Sequence, residues 1–259
     1  MLTSRPSAAT VSPRFRLPRQ RRARVAMAVV TALPLLSGCQ TVMSTGGGAG
    51  VRIIQASPNA PGIDMYANGT TLADNLGFGS VTSYVSINPG TYSIAAATTG
   101  TMDALATEKG TMVDGSQYTV LLGSSAAAMQ ELILKDQSQA APSGQISLRL
   151  IDEASAVGAL DVYLVPAGVK LSATTPLLTN LTFGNTPTYV NVPTGTYTLV
   201  LVPKGTAVTG TTVATYTGAQ VAYAGGSATT VVLADQQLVT TPGLQVISAT
   251  DFVSVTSTN

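Results

Sequence analysis

The chain has 259 residues with 13 Lys and Arg, 12 Asp and Glu, one cysteine, and neither histidine nor tryptophan. Without imidazole, and with a lone thiol, Ser-His-Asp and Cys-His catalysis, His- or Cys-ligated zinc, haem ligation and an internal disulfide are excluded. The net charge of +1 hides an asymmetry: seven arginines and no acid lie in the first 24 residues, while beyond residue 38 six basic side chains face twelve acids, a net −6. Such an acidic body argues against nucleic acid as a partner, because that role needs clustered Lys and Arg.

Val25 to Leu36 is an uncharged, mostly apolar run of twelve residues. As a helix at ~1.5 Å per residue it covers about 18 Å, short of the roughly 30 Å hydrocarbon core of a bilayer. With the basic segment before it, it reads as a signal peptide and not as a membrane span. Leu36-Ser37-Gly38-Cys39 resembles the bacterial lipobox, in which small residues precede a cysteine that is lipidated and becomes the first residue. The expectation is therefore a leader over 1–38 and an acylated Cys39. Gln40 is not the Asp that retains such proteins in the inner membrane, which implies an outer-membrane address in the cell envelope. The glycine-rich stretch 39–50 is expected to be a flexible tether.

Beyond the tether the chain repeats itself. "NLGFGSVTSYVSINPGTYSI" (Asn75 to Ile94) aligns without a gap on "NLTFGNTPTYVNVPTGTYTL" (Asn180 to Leu199), at a constant offset of 105. Upstream, "IDMY" from Ile63 matches "LDVY" from Leu160 at an offset of 97, so the second copy carries eight extra residues, around Pro166 to Pro176. Downstream, "YTVLLG" from Tyr118 resembles "TTVVLA" from Thr229. The expected boundaries are a first repeat over 51–136, a polar linker over 137–145 and a second repeat over 146–259, each folding as a separate unit.

The local pattern is that of strands. In "GTYSIAA", Tyr92, Ile94 and Ala96 fall on one face, and in "GTYTLVL" Tyr197, Leu199 and Leu201 do the same. Alternation of period two marks half-buried strands. Asn68-Gly69 suits a type I′ hairpin turn, and Asp114-Gly115 is read as another hairpin. The predicted fold class is all-β, two tandem antiparallel β-sandwiches of immunoglobulin-like or transthyretin-like kind after the cleaved leader. The Phe78-Gly79 and Phe183-Gly184 pairs are read as core plugs beside tight bends.

At "ASPNAPGIDMY" (Ala56 to Tyr66), followed by "GFGSVTSYVSINPGTYSI", the sequence resembles the domain of unknown function 4397 family. The resemblance covers nearly the whole body as two copies and is weaker in the second, where "RLIDEASAVGALDVY" replaces the Ser-Pro turn. A His commonly found in the family before Ala-Ser-Pro is Gln55 in this chain. The resemblance implies a secreted or surface-attached β-sandwich with no established activity.

Four residues are candidate binding groups. Asp64 and Asp161 occupy equivalent positions in the two copies, either as calcium or ligand-binding carboxylates or as acceptors for the backbone amides of the preceding turn. No Asp-x-Asp-x-Asp-Gly loop accompanies them, which argues for the second role. Tyr84 and Tyr189 are either exposed aromatics able to stack on sugar rings or covers for the end of a sandwich or the other copy. The insertion around Pro166 to Pro176 is either a partner surface or a tolerated loop. No catalytic residue, metal site or cofactor is expected. The functional expectation is a non-enzymatic envelope lipoprotein in a structural, adhesive or binding role, held to the membrane by its lipid, with an envelope protein or glycan as partner. The alternatives are a carbohydrate- or polymer-binding module and, behind it, a hydrolase using paired carboxylates.

Overall fold

The computed structural model describes residues 47–237 and 243–253. The first repeat supplies β1 (Ala49–Gln55), β2 (Ile63–Ala67), β3 (Thr70–Leu76), β4 (Val85–Ile87), β5 (Gly90–Thr98), β6 (Ala104–Met112), β7 (Gln117–Gly123) and β8 (Gln130–Lys135). The second supplies β9 (Gln145–Glu153), β10 (Leu160–Pro166), β11 (Leu178–Leu181), β12 (Val190–Pro193), β13 (Gly195–Pro203), β14 (Tyr216–Tyr223), β15 (Ala228–Asp235) and β16 (Leu244–Phe252).

Each repeat makes two four-stranded sheets. In the first they run β4-β1-β7-β8 and β3-β2-β5-β6; in the second, β12-β9-β15-β16 and β11-β10-β13-β14. The two copies have the same topology strand for strand. Alternating side chains of each sheet pair close a core: Val51, Ile53, Val120 and Leu122 meet Ile63, Met65, Ile94 and Ala96 in one. Leu148, Leu150, Val231 and Leu233 meet Leu160, Val162, Leu164 and Leu201 in the other. Tyr92 packs on the first core, and Tyr197 and Leu199 on the second, as their alternation requires.

A third cluster lies between the repeats. Ile54, Ala56 and Leu121 of the first pack with Ile151, Val232, Ala234, Ile247 and Ala249 of the second. The layers are therefore outer, inner, inner, outer, with the β1 sheet packed on the β9 sheet. This explains why β1, β7, β9 and β15 are buried along nearly their whole length instead of on alternate residues. Both faces of each inner sheet are covered, and burial then loses its period of two.

The sheets are not purely antiparallel. β1 runs parallel to β7, and β9 parallel to β15. The chain leaves β1, makes β2 and β3 of the outer sheet, β4 on the far side of β1, then β5 and β6, and only then returns beside β1 as β7. Such a crossover does not force a reversal of direction. Asp114-Gly115 accordingly joins β6 of one sheet to β7 of the other and is not a hairpin turn. Asn68 and Gly69, with φ of 47° and 80°, do close the β2–β3 hairpin as a type I′ turn needs. The expected tether over 39–50 is shorter at its far end, because Ala49 and Gly50 already pair in β1. The expected linker ends at Gln145, which opens β9.

The insertion has a packing role. Leu171 within it and Val208 and Ala214 from the β13–β14 connection cover Tyr163, Val165, Val200 and Val202 on the outside of the last sheet. The first copy carries Ala95 and Ala97 where the second has Val200 and Val202. The second copy thus has a larger apolar outer face, and the added chain shields it. Phe78 packs against the cluster between the repeats, whereas Phe183 is 37% exposed, so the plug reading holds for the first copy alone.

The shared layer couples the two halves. The purified chain is expected to melt in one cooperative transition, with the calorimetric and van't Hoff enthalpies equal. Two resolved calorimetric peaks would show that the middle layer carries little of the stability.

Candidate functional site

Two buried arginines sit on the faces that the inner sheets turn toward each other. Arg52 on β1 and Arg149 on β9 are 2% and 4% exposed, and are equivalent residues of the two copies. Each makes the same set of contacts. The Nε of Arg52 donates to Thr119 Oγ1 at 2.9 Å, one Nη to the Thr250 carbonyl at 2.8 Å, and the other to Asp251 Oδ1. Arg149 donates from Nε to Thr230 Oγ1 at 3.1 Å, to the Lys135 carbonyl at 3.1 Å and to Asp136 Oδ1 at 2.5 Å. The bonds cross: each guanidinium takes a hydroxyl from its own repeat and a carboxylate and a carbonyl from the other.

The carboxylates are completed locally. Asp136 Oδ2 accepts from Tyr84 at 2.7 Å and Thr119 at 2.6 Å, and Asp251 Oδ2 accepts from Tyr189 at 2.7 Å and Thr230 at 2.8 Å. Each tyrosine ring also lies under the arginine of its own repeat, 4.9 Å from the Arg52 guanidinium carbon to the Tyr84 centroid and 4.8 Å for Arg149 and Tyr189. The motif is a pseudo-twofold joint of Arg, Asp, Thr and Tyr, used twice. Burial pushes both phenols well above their usual range, and burial also raises the Asp251 carboxyl, against the pull of Arg52.

The candidate residues from the sequence separate in this frame. Tyr84 and Tyr189 come together across the joint, where their hydroxyls are engaged by the aspartates. Asp64 and Asp161 lie apart from them, one in each outer sheet. Asp64 accepts from the amides of Asn75 at 2.7 Å and Gly100 at 2.9 Å, with Thr99 Oγ1 at 3.0 Å. Asp161 accepts from the amides of Asn180 and Gly205, both at 2.9 Å. The Asn75 and Gly100 amides hold the Asp64 carboxyl below its usual range. Asn75 and Asn180 have φ of 50° and 60°, so each aspartate pins a left-handed residue at the end of its strand pair. Cys39 lies outside the described residues. Among those residues no group of three or more acids, cysteines or histidines is placed to hold a metal ion.

Arg52, Arg149, Asp136 and Asp251 were not legible as a set. Their one sequence signal is polar residues at equivalent positions in strands otherwise rich in Val, Ile and Leu. Asp136, at the edge of a polar stretch, reads as linker until β8 is seen to carry it into the joint.

Three further carboxyl groups are buried without a hydrogen-bond partner for at least one oxygen: Glu131, Asp152 and Glu153. Glu153 extends across the joint face onto Gly123, where a methyl group would overlap its carboxylate. The equivalent pair in the other half of the joint is Ala56 and Ala234, both buried. Burial raises all three, Glu131 to about 8, Glu153 to about 7 and Asp152 to about 6, each further raised by a neighbouring acid. Two open clefts of about 430 Å³ each flank the sandwiches: one under the insertion, lined by Pro166, Val169, Pro176 and Tyr197, and one between β6 and β8.

Residues 49–163 match the family described as "Domain of unknown function (DUF4397)". The chain contains a domain of that family. The match begins at β1, spans the first sandwich and ends at Tyr163 within β10. No curated protein matches the chain. Among solved structures, the crystal structure of a leucine-rich repeat protein from Bacteroides thetaiotaomicron VPI-5482 is similar at 17% identity and a TM-score of 0.21. That similarity covers 74% of this chain and 26% of the other, so the chain spans about a quarter of that protein's length, and the likeness carries no argument here.

Arg52→Met is expected to destabilise the chain by about 3–5 kcal/mol in urea unfolding, because it leaves the Asp251 carboxylate buried and unpaired. Arg52→Met with Asp251→Leu should recover most of that loss; a double variant as unstable as the sum of the singles would mean the pair is not the interaction that matters.

The raised carboxyls set the pH profile. An acid whose folded pKa lies above its unfolded value is more protonated in the native state, so its stabilising contribution is full at low pH and is lost as pH rises through the folded pKa. With ordinary values of 3.8 for Asp and 4.5 for Glu and folded values of about 6 to 8, the melting temperature is expected to fall between about pH 4 and 8. Glu153→Gln should flatten the part of that fall nearest pH 7, and a flat wild-type profile would contradict the assignment.

Proposed function

We propose that this chain is a lipid-anchored protein of the bacterial cell envelope, a non-enzymatic module that displays a stiff double sandwich for a structural, adhesive or binding role. The observation that carries the reading is the joint. Its aspartates are filled by guanidinium, hydroxyl and phenol donors, so its charged groups hold the two repeats in one arrangement and offer a substrate no free base or nucleophile.

In this reading the second repeat is a further, divergent DUF4397 copy, and both are sandwiches of the immunoglobulin-like or transthyretin-like kind. The leader over 1–38 is removed, Cys39 is acylated and Gln40 directs the protein to the outer membrane. Acyl chains contribute about 0.8 kcal/mol per buried CH₂, and one chain anchors only reversibly, so the two or three of a lipoprotein suit an acidic body in which no helix among the described residues is long and apolar enough to cross a membrane. The eight residue-to-residue steps from Cys39 to Gly47 can extend at most about 29 Å, which holds the sandwich close to the bilayer.

A second reading, a carbohydrate- or polymer-binding module, draws on the cleft beneath the insertion. Tyr197 lines it, and its ring lies 6.4 Å from that of Tyr223 in a tilted pair. A hydrolase of the paired-carboxylate kind ranks behind both.

The test is Cys39→Ser in a bacterial host fed labelled palmitate. Wild type should take up label and run at the processed size, whereas the variant should take up none and keep its leader. Equal labelling of the two would remove the lipid anchor and the outer-membrane address together.

A further inference from the structure

The two repeats act as controls for each other, and at one inward-facing position they disagree in chemistry. Glu131 on β8 sits opposite Leu122 of β7, and its equivalent Val246 on β16 sits opposite Leu233 of β15. Leu122 and Leu233 are both core residues, so Glu131 and Val246 both point between the sheets of their sandwich. Val246 packs there as an ordinary apolar side chain. The fold therefore does not require a carboxyl at this place.

Glu131 is nonetheless 6% exposed, and neither of its oxygens has a hydrogen-bond partner. Leaving such a group unmatched opposes folding even before it is charged. It lines the cleft between the edge strands β6 and β8, of about 430 Å³. On β6, Glu108 pairs with Ile94 of β5 and so shares the inward face with that core residue, bringing a second carboxylate to the same seam. The lining also includes Tyr118, Ile133 and Leu134, Thr111 and Thr186, and Lys109 and Lys135.

We propose that this seam binds a small organic ammonium ion, with Glu131 accepting its N–H groups and Glu108 adding the second negative charge. An ammonium presents several donors on an alkyl body, which matches unpartnered oxygens set among Tyr118, Ile133 and Leu134. A bare metal ion matches less well, since the seam offers two carboxylates and no third acid, imidazole or thiolate. The volume is that of a small-molecule cleft and does not admit a folded partner. The proposal stands independently of the envelope reading, because it rests on the lining of this seam and not on the lipid anchor.

Burial holds Glu131 protonated at neutral pH, with Glu108 adding to the effect. Binding must therefore release a proton, which distinguishes this site from surface attraction to an acidic protein. The test is calorimetric titration of the purified chain with 1,4-diaminobutane at about pH 9, where an alkylamine of pKa near 10 is still charged. Saturable one-site binding is expected, weaker by about tenfold or more near pH 6, with proton uptake by the buffer on binding near neutral pH. Glu131→Val should abolish it while raising the melting temperature, since it installs the side chain that the second repeat already uses. Glu108→Gln, at an exposed position with no burden on folding, should weaken it. Absence of saturable binding at pH 9, unchanged binding in Glu131→Val, or stronger saturable binding of Ca²⁺ than of the diamine would each overturn the proposal.

Discussion

Two guanidinium groups buried between two sheets set the terms for this molecule. A charge of that size cannot be taken out of water unless every donor finds an acceptor, and the cost of failure is several kcal/mol per ion. Arg52 and Arg149 meet the requirement only together, because each takes its carboxylate from the opposite repeat. Sliding one inner sheet along the other by one residue would point the aspartates away and turn apolar side chains toward the guanidinium groups. The apolar cluster between the sheets is tolerant of small shifts, and the ion pairs are not. Hydrophobic burial supplies attraction between the repeats, and the crossed pairs select one geometry for it.

The differences between copies are more instructive than the repeat itself. Where Ala95 and Ala97 become Val200 and Val202, the outer face gains apolar area, and a longer chain with Leu171 and Val208 covers it. Where Ala56 faces Ala234 on one side of the joint, Glu153 meets Gly123 on the other, the larger side chain being matched by loss of a Cβ. In each case a change in volume is answered by a change next to it, as close packing demands. Glu131 against Val246 brings a carboxyl between the sheets with no hydrogen-bond donor to either oxygen, and Glu153 shares that lack of donors.

How much of this was legible follows from what a single strand can show. The outer-sheet strands have one wet face, so β5 and β13 carry the period-two signal and were readable, as was the Asn68-Gly69 turn. The inner-sheet strands are covered on both faces, and their sequences ("VRIIQ", "SLRLID") lose the alternation that would announce them. The parallel pairing of β1 with β7 leaves no local trace, because it depends on a partner more than sixty residues away. The same is true of the joint. Tyr84 and Tyr189 drew notice as repeated aromatics, yet their role needs Asp136 and Asp251, which lie at different offsets and past the last recognisable motif. Asp64 and Asp161 were easier, since the Asn75 and Asn180 amides they hold are part of the repeated segment itself.

Burial of the inner faces also dictates where the molecule can meet anything else. Of the six basic residues beyond residue 38, two are consumed in the joint, leaving four to balance the remaining surface acids. The second outer face is roofed by its own loops. What stays open is the first outer sheet and the seams between sheets, where edge strands from different layers come near without pairing. In the second sandwich the corresponding inward position is closed by an apolar side chain. In the first it is held open by a carboxyl that its surroundings do not satisfy. A repeat that kept its copy's valine would bury no unmatched carboxyl there, so this glutamate, like Glu153 at the joint face, is a feature of the fold that stability alone does not explain.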